Sequence, residues 1–453
     1  MATLAANQTR LLATVLCTVA FAYLVWKISQ SPEQALQFTF NGLSVGAVYA
    51  LLAIGFTLVY STVWFFDLYY GAAAALGAYG VFYLRSQQAV GGQYEVNSLA
   101  VNIIFGALVA GVVAWALHEG VGPRLRERCS PRLLRWLGGA LAAATGVYTG
   151  IILAYPDELH LLLAPVVGLA TAAAVVWLIY RVAVRVRRRI DPGADLRGMA
   201  IAGIGPGAVL GGYCGMALAG APGSQLYLSW AVSCLLAATL GLALYRGLYV
   251  YMRERARTPL VMLVATLGVL LALTAFTTIV FHSAPRPLPD AFGSDPWTIG
   301  GANVKGFNVF TIGVAIAGFV GLLLLLKRTA FGKAVRAIGD DEEVAKVVGI
   351  NTTAVIAVVF FIAALYAALG GVLSGHDTAI QPRMGLLLLL KGWIASVVGG
   401  IGNLWGAIVG GFVLGLIEQF GIWDLAGEWR DAISFVLLVL FLSFWPKGLL
   451  PRR

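Results

Sequence analysis

Residues able to do chemistry are sparse in this chain, and their placement is informative. A polar interruption covers residues 327–350 and reads KRTAFGKAVRAIGDDEEVAKVVGI, between apolar stretches at 309–326 and 353–373. It holds a carboxylate cluster, Asp340 to Glu343, with no histidine or second ligand group beside it, so acid–base or metal chemistry is poorly served. The same acids suit a helix start. Asp340 and Asp341 stand where an N-cap would be, Glu342 and Glu343 follow in the first turn, Lys346 lies further along, and Gly349 supplies a stop. Val344, Val347 and Val348 form a small apolar stripe at helical spacing. A short amphipathic helix between membrane spans can lie in the interface or dock into a soluble partner. A plain solvated loop is the alternative.

The other reactive types are scattered. His118, His160, His282 and His376 have no ligand spacing, and Cys17, Cys129, Cys214 and Cys234 form no CxxC pair, so free structural thiols and no metal are expected. No G-x-x-x-x-G-K-[ST] loop is present to cradle ATP phosphates, and no cofactor is expected; Lys333 follows Gly332, but the rest of that pattern is missing. Lys391 is the one basic residue predicted well inside a span, away from its ends. A charge there is costly, so it snorkels to the interface, pairs with Glu418 or meets a bound carboxylate. Asn41, Ser44 and Thr57 are polar groups on otherwise apolar helices, where they either bond between helices or face a solute path.

These residues sit in a membrane frame. Of 453 residues 60% are hydrophobic and only 11% charged, too few charges for a soluble surface. Apolar runs near the length needed to cross the hydrocarbon core recur along the chain. Candidate spans fall at 11–28, 42–60, 71–84, 99–117, 136–155, 160–184, 199–218, 226–248, 260–281, 308–326, 353–373, 384–400, 406–420 and 430–446. The fold class expected is all-α: a polytopic integral membrane protein with 12–14 transmembrane helices, some broken or re-entrant. With the 327–350 loop inside, 24 of the 31 lysines and arginines fall on the inner face and six on the outer, and both termini are cytoplasmic. The net charge of +10 therefore reads as positive-inside bias and not as nucleic-acid binding. The arginines from 181 to 189 suit lipid headgroups, with a specific anion site as the alternative. Gly402, Gly406 and Gly410 lie at spacing four, as do Gly411 and Gly415, a pattern for close helix approach; a break near Gly399-Gly400 would free backbone groups to line a path.

Three blocks together resemble the branched-chain amino-acid permease family of ABC importers. The first includes Asn41-Gly42-Leu43-Ser44, Gly46, Tyr49-Ala50-Leu51, Gly55 and Leu76-Gly77-Ala78-Tyr79; the second runs from Arg246 through Pro259-Leu260 and Ala265-Thr266-Leu267-Gly268 to Pro287-Leu288-Pro289. The third runs from Arg328 to the end and contains Leu390-Lys391-Gly392, GGIGNLWGAIVGG from Gly399, Asp431 and Pro446-Lys447-Gly448. The resemblance implies a permease core in two parts, residues 1–118 and 226–453, with extra helices at 119–225 that have no counterpart, and a cytoplasmic coupling loop at 327–352. In that loop Gly332, Arg336, Ala337, Asp341, Ala345 and Gly349 would meet an ATP-hydrolysing subunit. It also implies a second permease subunit, an extracytoplasmic solute-binding protein, membrane lipids around the spans, and residence in the plasma (inner) membrane. The candidate solute path is Asn41, Ser44, Asp67, Tyr70 and Lys391.

One run departs from the family. Asp67-Leu68-Tyr69-Tyr70-Gly71 stands where Asn-Phe-Ala-His-Gly is usual, so solute selectivity can differ; Asp67 can equally cap the helix that follows. The implied function is a permease subunit without enzymatic activity, carrying a branched-chain or related amino acid. Urea or short amides are the alternative solutes. An ion-coupled secondary carrier would need intramembrane carboxylates, for which Glu418 and Asp67 are the candidates. A membrane enzyme would need the clustered groups that are missing here.

Overall fold

Pro32 fixes the first turn of α1 (Pro32–Val63), and the apolar, small-residue run that follows carries it for 32 residues without a break. A computed structural model of the chain describes residues 22–89, 96–121, 130–190, 197–255, 259–290, 296–445 and 447–450. Most of the first expected span, 11–28, lies outside the described residues, as do Cys17 and Cys129. In chain order the long helices are α2 (Tyr69–Ala89), α3 (Leu99–Ala116), α4 (Pro131–Ala154), α5 (Leu159–Ile190), α6 (Arg197–Ala219), α7 (Gln225–Leu244) and α8 (Pro259–Phe281). A hairpin of β1 (Trp297–Ile299) and β2 (Ala302–Val304) follows, turned at Gly300 and Gly301, both at positive φ as a tight two-residue hairpin turn requires. Then come α9 (Gly306–Arg328), α10 (Ala330–Asp340), α11 (Glu342–Val347), α12 (Thr352–Asp377), α13 (Met384–Gly399), α14 (Leu404–Gly421) and α15 (Arg430–Phe444).

Among the described residues nine helical stretches are long and apolar enough to cross a membrane; Ile204–Ala219 and Met384–Gly399 are apolar and shorter. The protein is a polytopic, all-α membrane protein. By contacts it divides into two compact units: residues 1–82, 86–96 and 233–453, and residues 83–85 and 97–232.

In the first unit α1 is the core. It is apolar on every side, as a helix enclosed by others must be, and α9, α12, α13 and α14 pack around it. Glycine makes these approaches possible. Gly411 of α14 lies against Ala50 and Gly415 against Gly46, while Gly410 and Gly406 face Ala395 and Gly399 of α13. The spaced glycines are thus packing faces. The break at Gly400 and Gly402, both at positive φ, opens no path through its backbone, because the C-terminal segment closes it. Leu449 N–H donates to the Val398 carbonyl at 2.9 Å and Leu450 N–H to the Gly399 carbonyl at 2.8 Å.

In the second unit α3 packs on α4 and α5 on α6 through facing glycines, Gly106 on Gly146 and Gly168 on Gly211, the latter face extended by Gly207 and Gly215. Arg85 is fully buried there and donates to Gln225 Oε1 at 2.9 Å and to the Pro156 carbonyl at 2.7 Å. Trp136, Leu169 and Val209 are exposed, as residues facing lipid would be.

Candidate functional site

A cavity of about 200 Å³ opens at one end of the first unit. The middle of α1 supplies Ser44, Val45, Val48 and Tyr49; α9 supplies Phe307 and Thr311; the end of α12 supplies Leu373, Ser374 and Asp377. Met384, Leu387, Leu388 and Lys391 come from α13, and Arg430 and Asp431 from the start of α15. Apolar walls with a few converging charges are the form of a small-molecule site.

The charges form one network. The Lys391 ammonium donates to Glu418 Oε1 at 2.5 Å and to Ser434 Oγ at 3.2 Å, and pairs with Asp431 Oδ1 at 2.9 Å. Glu418, on α14, is 0% exposed; it also accepts from the Ser434 hydroxyl and, on Oε2, from the Tyr49 hydroxyl at 2.7 Å. Lys391 also lies 5.4 Å from the Tyr49 ring centroid, close enough for a cation–π contact. Four helices, α1, α13, α14 and α15, are therefore tied through one buried ammonium, and pairing with Glu418, one of the alternatives for Lys391, is present in the structure.

The other path candidates are distributed along α1. Asn41 accepts from Asn308 Nδ2 at 3.1 Å and from Gln37 Nε2 at 3.3 Å, one turn from the cavity. Ser44 lines the cavity. Thr57 shares a 2.7 Å hydrogen bond with Ser396, joining α1 to α13. Asp67 and Tyr70 stand beyond the far end of α1 and do not line the cavity. Asp67 is buried, and its Oδ1 accepts from the Tyr69 N–H at 3.0 Å, at the start of α2, and from the Tyr249 hydroxyl at 3.2 Å. Burial pushes its carboxyl up to about 7, against the pull of those two hydrogen bonds. The Tyr70 hydroxyl donates to the Leu51 carbonyl at 3.4 Å.

That same far end carries the polar stretch, which folds as two helices where one was expected. Thr329 caps α10: its hydroxyl accepts from the Gly332 N–H at 3.2 Å. Gly332 presses against Leu326 at the end of α9, where a side chain would collide with backbone, and Arg336 donates to the Leu326 carbonyl at 2.7 Å. The Trp64 indole N–H, just past α1, donates to the Gly339 carbonyl at 3.0 Å. Ala337, half-buried, lies in the last turn of α10.

Asp340 ends α10, and it is Asp341 that caps α11, accepting from the Val344 N–H at 3.0 Å. Gly349 at φ 89° ends the segment, with Ile350 N–H donating back to the Ala345 carbonyl at 3.0 Å. Ala345 is buried, so α11 turns its one small residue inward. Val344, Val347 and Val348 face outward, Val347 at 88% exposure.

Sequence reasoning left out α10 and the outer members of the charge network. The pattern Phe331, Val335, Ile338 behind a Thr329 cap was a signal for α10; nothing local pointed to Tyr49 or Ser434 as partners of Glu418.

A bundle of membrane helices closing on a small charged and apolar cavity at one end, with short amphipathic helices at the other, has the form of a transport permease. The family model described as "branched-chain amino acid transport system / permease component" matches residues 198–442. The LivH protein of Escherichia coli (strain K12), a high-affinity branched-chain amino acid transport system permease protein, is 32% identical over 223 residues, 48% of this chain and 71% of the relative. BraD of Pseudomonas aeruginosa, of the same description, is 31% identical over 229 residues, 49% of this chain and 74% of the relative. The fructose import permease FrcC of Rhizobium meliloti is 38% identical over 148 residues, 30% of this chain and 41% of that protein. No solved structure matches the chain. The chain belongs to the family of branched-chain amino acid transport system permease components, and is a membrane-spanning transport subunit.

Proposed function

We propose that this chain forms the translocation path of an ABC importer in the inner membrane, with both termini cytoplasmic, for a branched-chain or closely related amino acid. One observation carries the reading. A single unbroken helix, α1, lines the cavity through Ser44 to Tyr49 and meets α10 through the Trp64–Gly339 bond. At 1.5 Å per residue the two places are about 22–30 Å apart, on the order of a membrane core.

The mechanism follows from that connection. A separate ATP-hydrolysing subunit docks on the exposed valines of α11, held in place by the Asp341 cap, Ala345 and Gly349. ATP-driven closure displaces α10 and α11. Gly332 and Arg336 fix α10 to α9, and Trp64 fixes it to α1, so movement passes to the helices around the cavity and changes which side it opens to. A second permease chain, an extracytoplasmic binding protein and the surrounding lipid complete the assembly. The cavity, with opposite charges beside an apolar wall, favours an amino acid over urea or an amide.

The test is solute uptake in cells supplying the partner subunits. Arg336→Glu removes the hydrogen bond to α9, and Ala345→Pro removes the Ala345 N–H bond to the Asp341 carbonyl. Both are expected to abolish uptake while membrane insertion persists; wild-type uptake in both would refute the coupling role.

A further inference from the structure

The two carboxylates on Lys391 are not equivalent. Glu418 is enclosed and its oxygens are all engaged, by Lys391 and Ser434 on one and Tyr49 on the other. Asp431 is 49% exposed at its side chain and lines the cavity. Parting an ion pair enclosed on both sides is much costlier than parting one whose acid reaches solvent. The Lys391–Glu418 pair is therefore a fixture, and the Lys391–Asp431 pair is exchangeable. A lysine ammonium has three donors, here all occupied, so a new acceptor must displace one, and Asp431 is the accessible one.

Arg430 gives a second, independent sign. It lines the same cavity, and its Nε–H is buried without a hydrogen-bond partner among the described residues. A donor held in a cavity wall without an acceptor is what a site for an anionic group would present.

We propose, resting on the permease reading above, that Lys391 binds the solute's carboxylate by partner exchange. The incoming carboxylate takes the place of Asp431 on the Lys391 ammonium, with Arg430 as an added donor. The released Asp431 then pairs with the solute's own ammonium. Each ion keeps a counter-ion only when the solute carries both charges. A carboxylic acid without an amine strands Asp431, and an amine without a carboxylate must compete with Lys391 for Asp431. The cavity thus ranks zwitterion above acid above amine, while Val48, Leu373 and Leu388 receive the apolar tail.

The experiment uses the purified full chain, with any subunits that stay bound, and follows its thermal unfolding against leucine, 4-methylpentanoate and 3-methylbutylamine. A ligand that binds the folded state raises the midpoint with its concentration. Leucine is expected to stabilise the chain, the acid to need about tenfold more, and the amine to have no effect, as loss of one charged hydrogen-bonding partner implies. Asp431→Asn should close the gap between leucine and the acid, by weakening leucine and removing the acid's competitor. Lys391→Met combined with Glu418→Gln, which leaves no unpaired buried charge, should lose the response to both. An unchanged leucine–acid gap in Asp431→Asn overturns the exchange, as does an amine response equal to that of leucine. A wild-type chain that no probe stabilises also overturns it, and leaves the importer reading to the uptake test of Arg336 and Ala345.

Discussion

The two ends of α1 invert the usual placement of residues. At the cavity end an ammonium and a carboxylate are buried. At the other end Val344 and Val347 of α11, and Val348 just past it, stand in the open. Neither arrangement favours folding by itself: buried charges lose hydration and exposed valines gain none of the hydrophobic effect. The buried end resolves its cost internally, since every oxygen of Glu418 has a partner. The exposed end leaves its apolar face unresolved within the chain. On the proposed reading the self-contained network belongs to the path itself, and the uncovered face to an assembly.

This contrast can be broken by measuring stability and uptake together. The largest stability effect is expected at Glu418. Glu418→Ala leaves Lys391 with the half-exposed Asp431 as its one counter-ion, beside the Ser434 hydroxyl, and should cost about 3–5 kcal/mol, read by denaturant unfolding of the purified chain.

Asp67 comes next, through pH. Its folded value, about 7, lies above the ordinary 3.8, so the fold holds the proton more tightly than the unfolded chain. The sign is the reverse of a salt-bridged carboxylate: the contribution is full below 3.8 and is lost as pH rises through about 7. Wild-type stability should fall across that window, and Asp67→Asn should flatten the profile; an equal slope in both contradicts the assignment.

Thr57→Val removes the 2.7 Å bond to Ser396 and should cost about 1 kcal/mol, checked in the same unfolding assay. The smallest stability effect is expected at Val347. Val347→Glu changes an exposed position and should stay within about 0.5 kcal/mol of wild type, yet uptake should be lost. A variant that keeps both stability and uptake would remove the distinction between the two ends.

The sequence and the fold agree best where the signal is local. The Asp341 cap and the Gly349 stop lie within one short stretch, and both stand in the structure as cap and positive-φ terminus. Helix α10 carries two glycines, Gly332 and Gly339, which weaken a local helix signal; in the fold they serve close approach to Leu326 and Ser61. Lys391 was conspicuous as a lone charge in an apolar run, and Glu418 was named as one possible partner. Tyr49 lies 369 residues from Glu418, and only the packing of α1 on α14 joins them. The grouping of Ser44 with Lys391, and the distance of Asp67 and Tyr70 from that cavity, follow from the direction in which α1 runs, which residue types do not reveal.

The most direct test of the account is co-purification of the chain, wild type and Val347→Glu, from host membranes under gentle detergent extraction. The account predicts an ATP-hydrolysing subunit bound to the wild type and lost from the variant. A chain that purifies alone and moves leucine across liposomes without ATP would contradict it, and would leave α10 and α11 as a linker between spans.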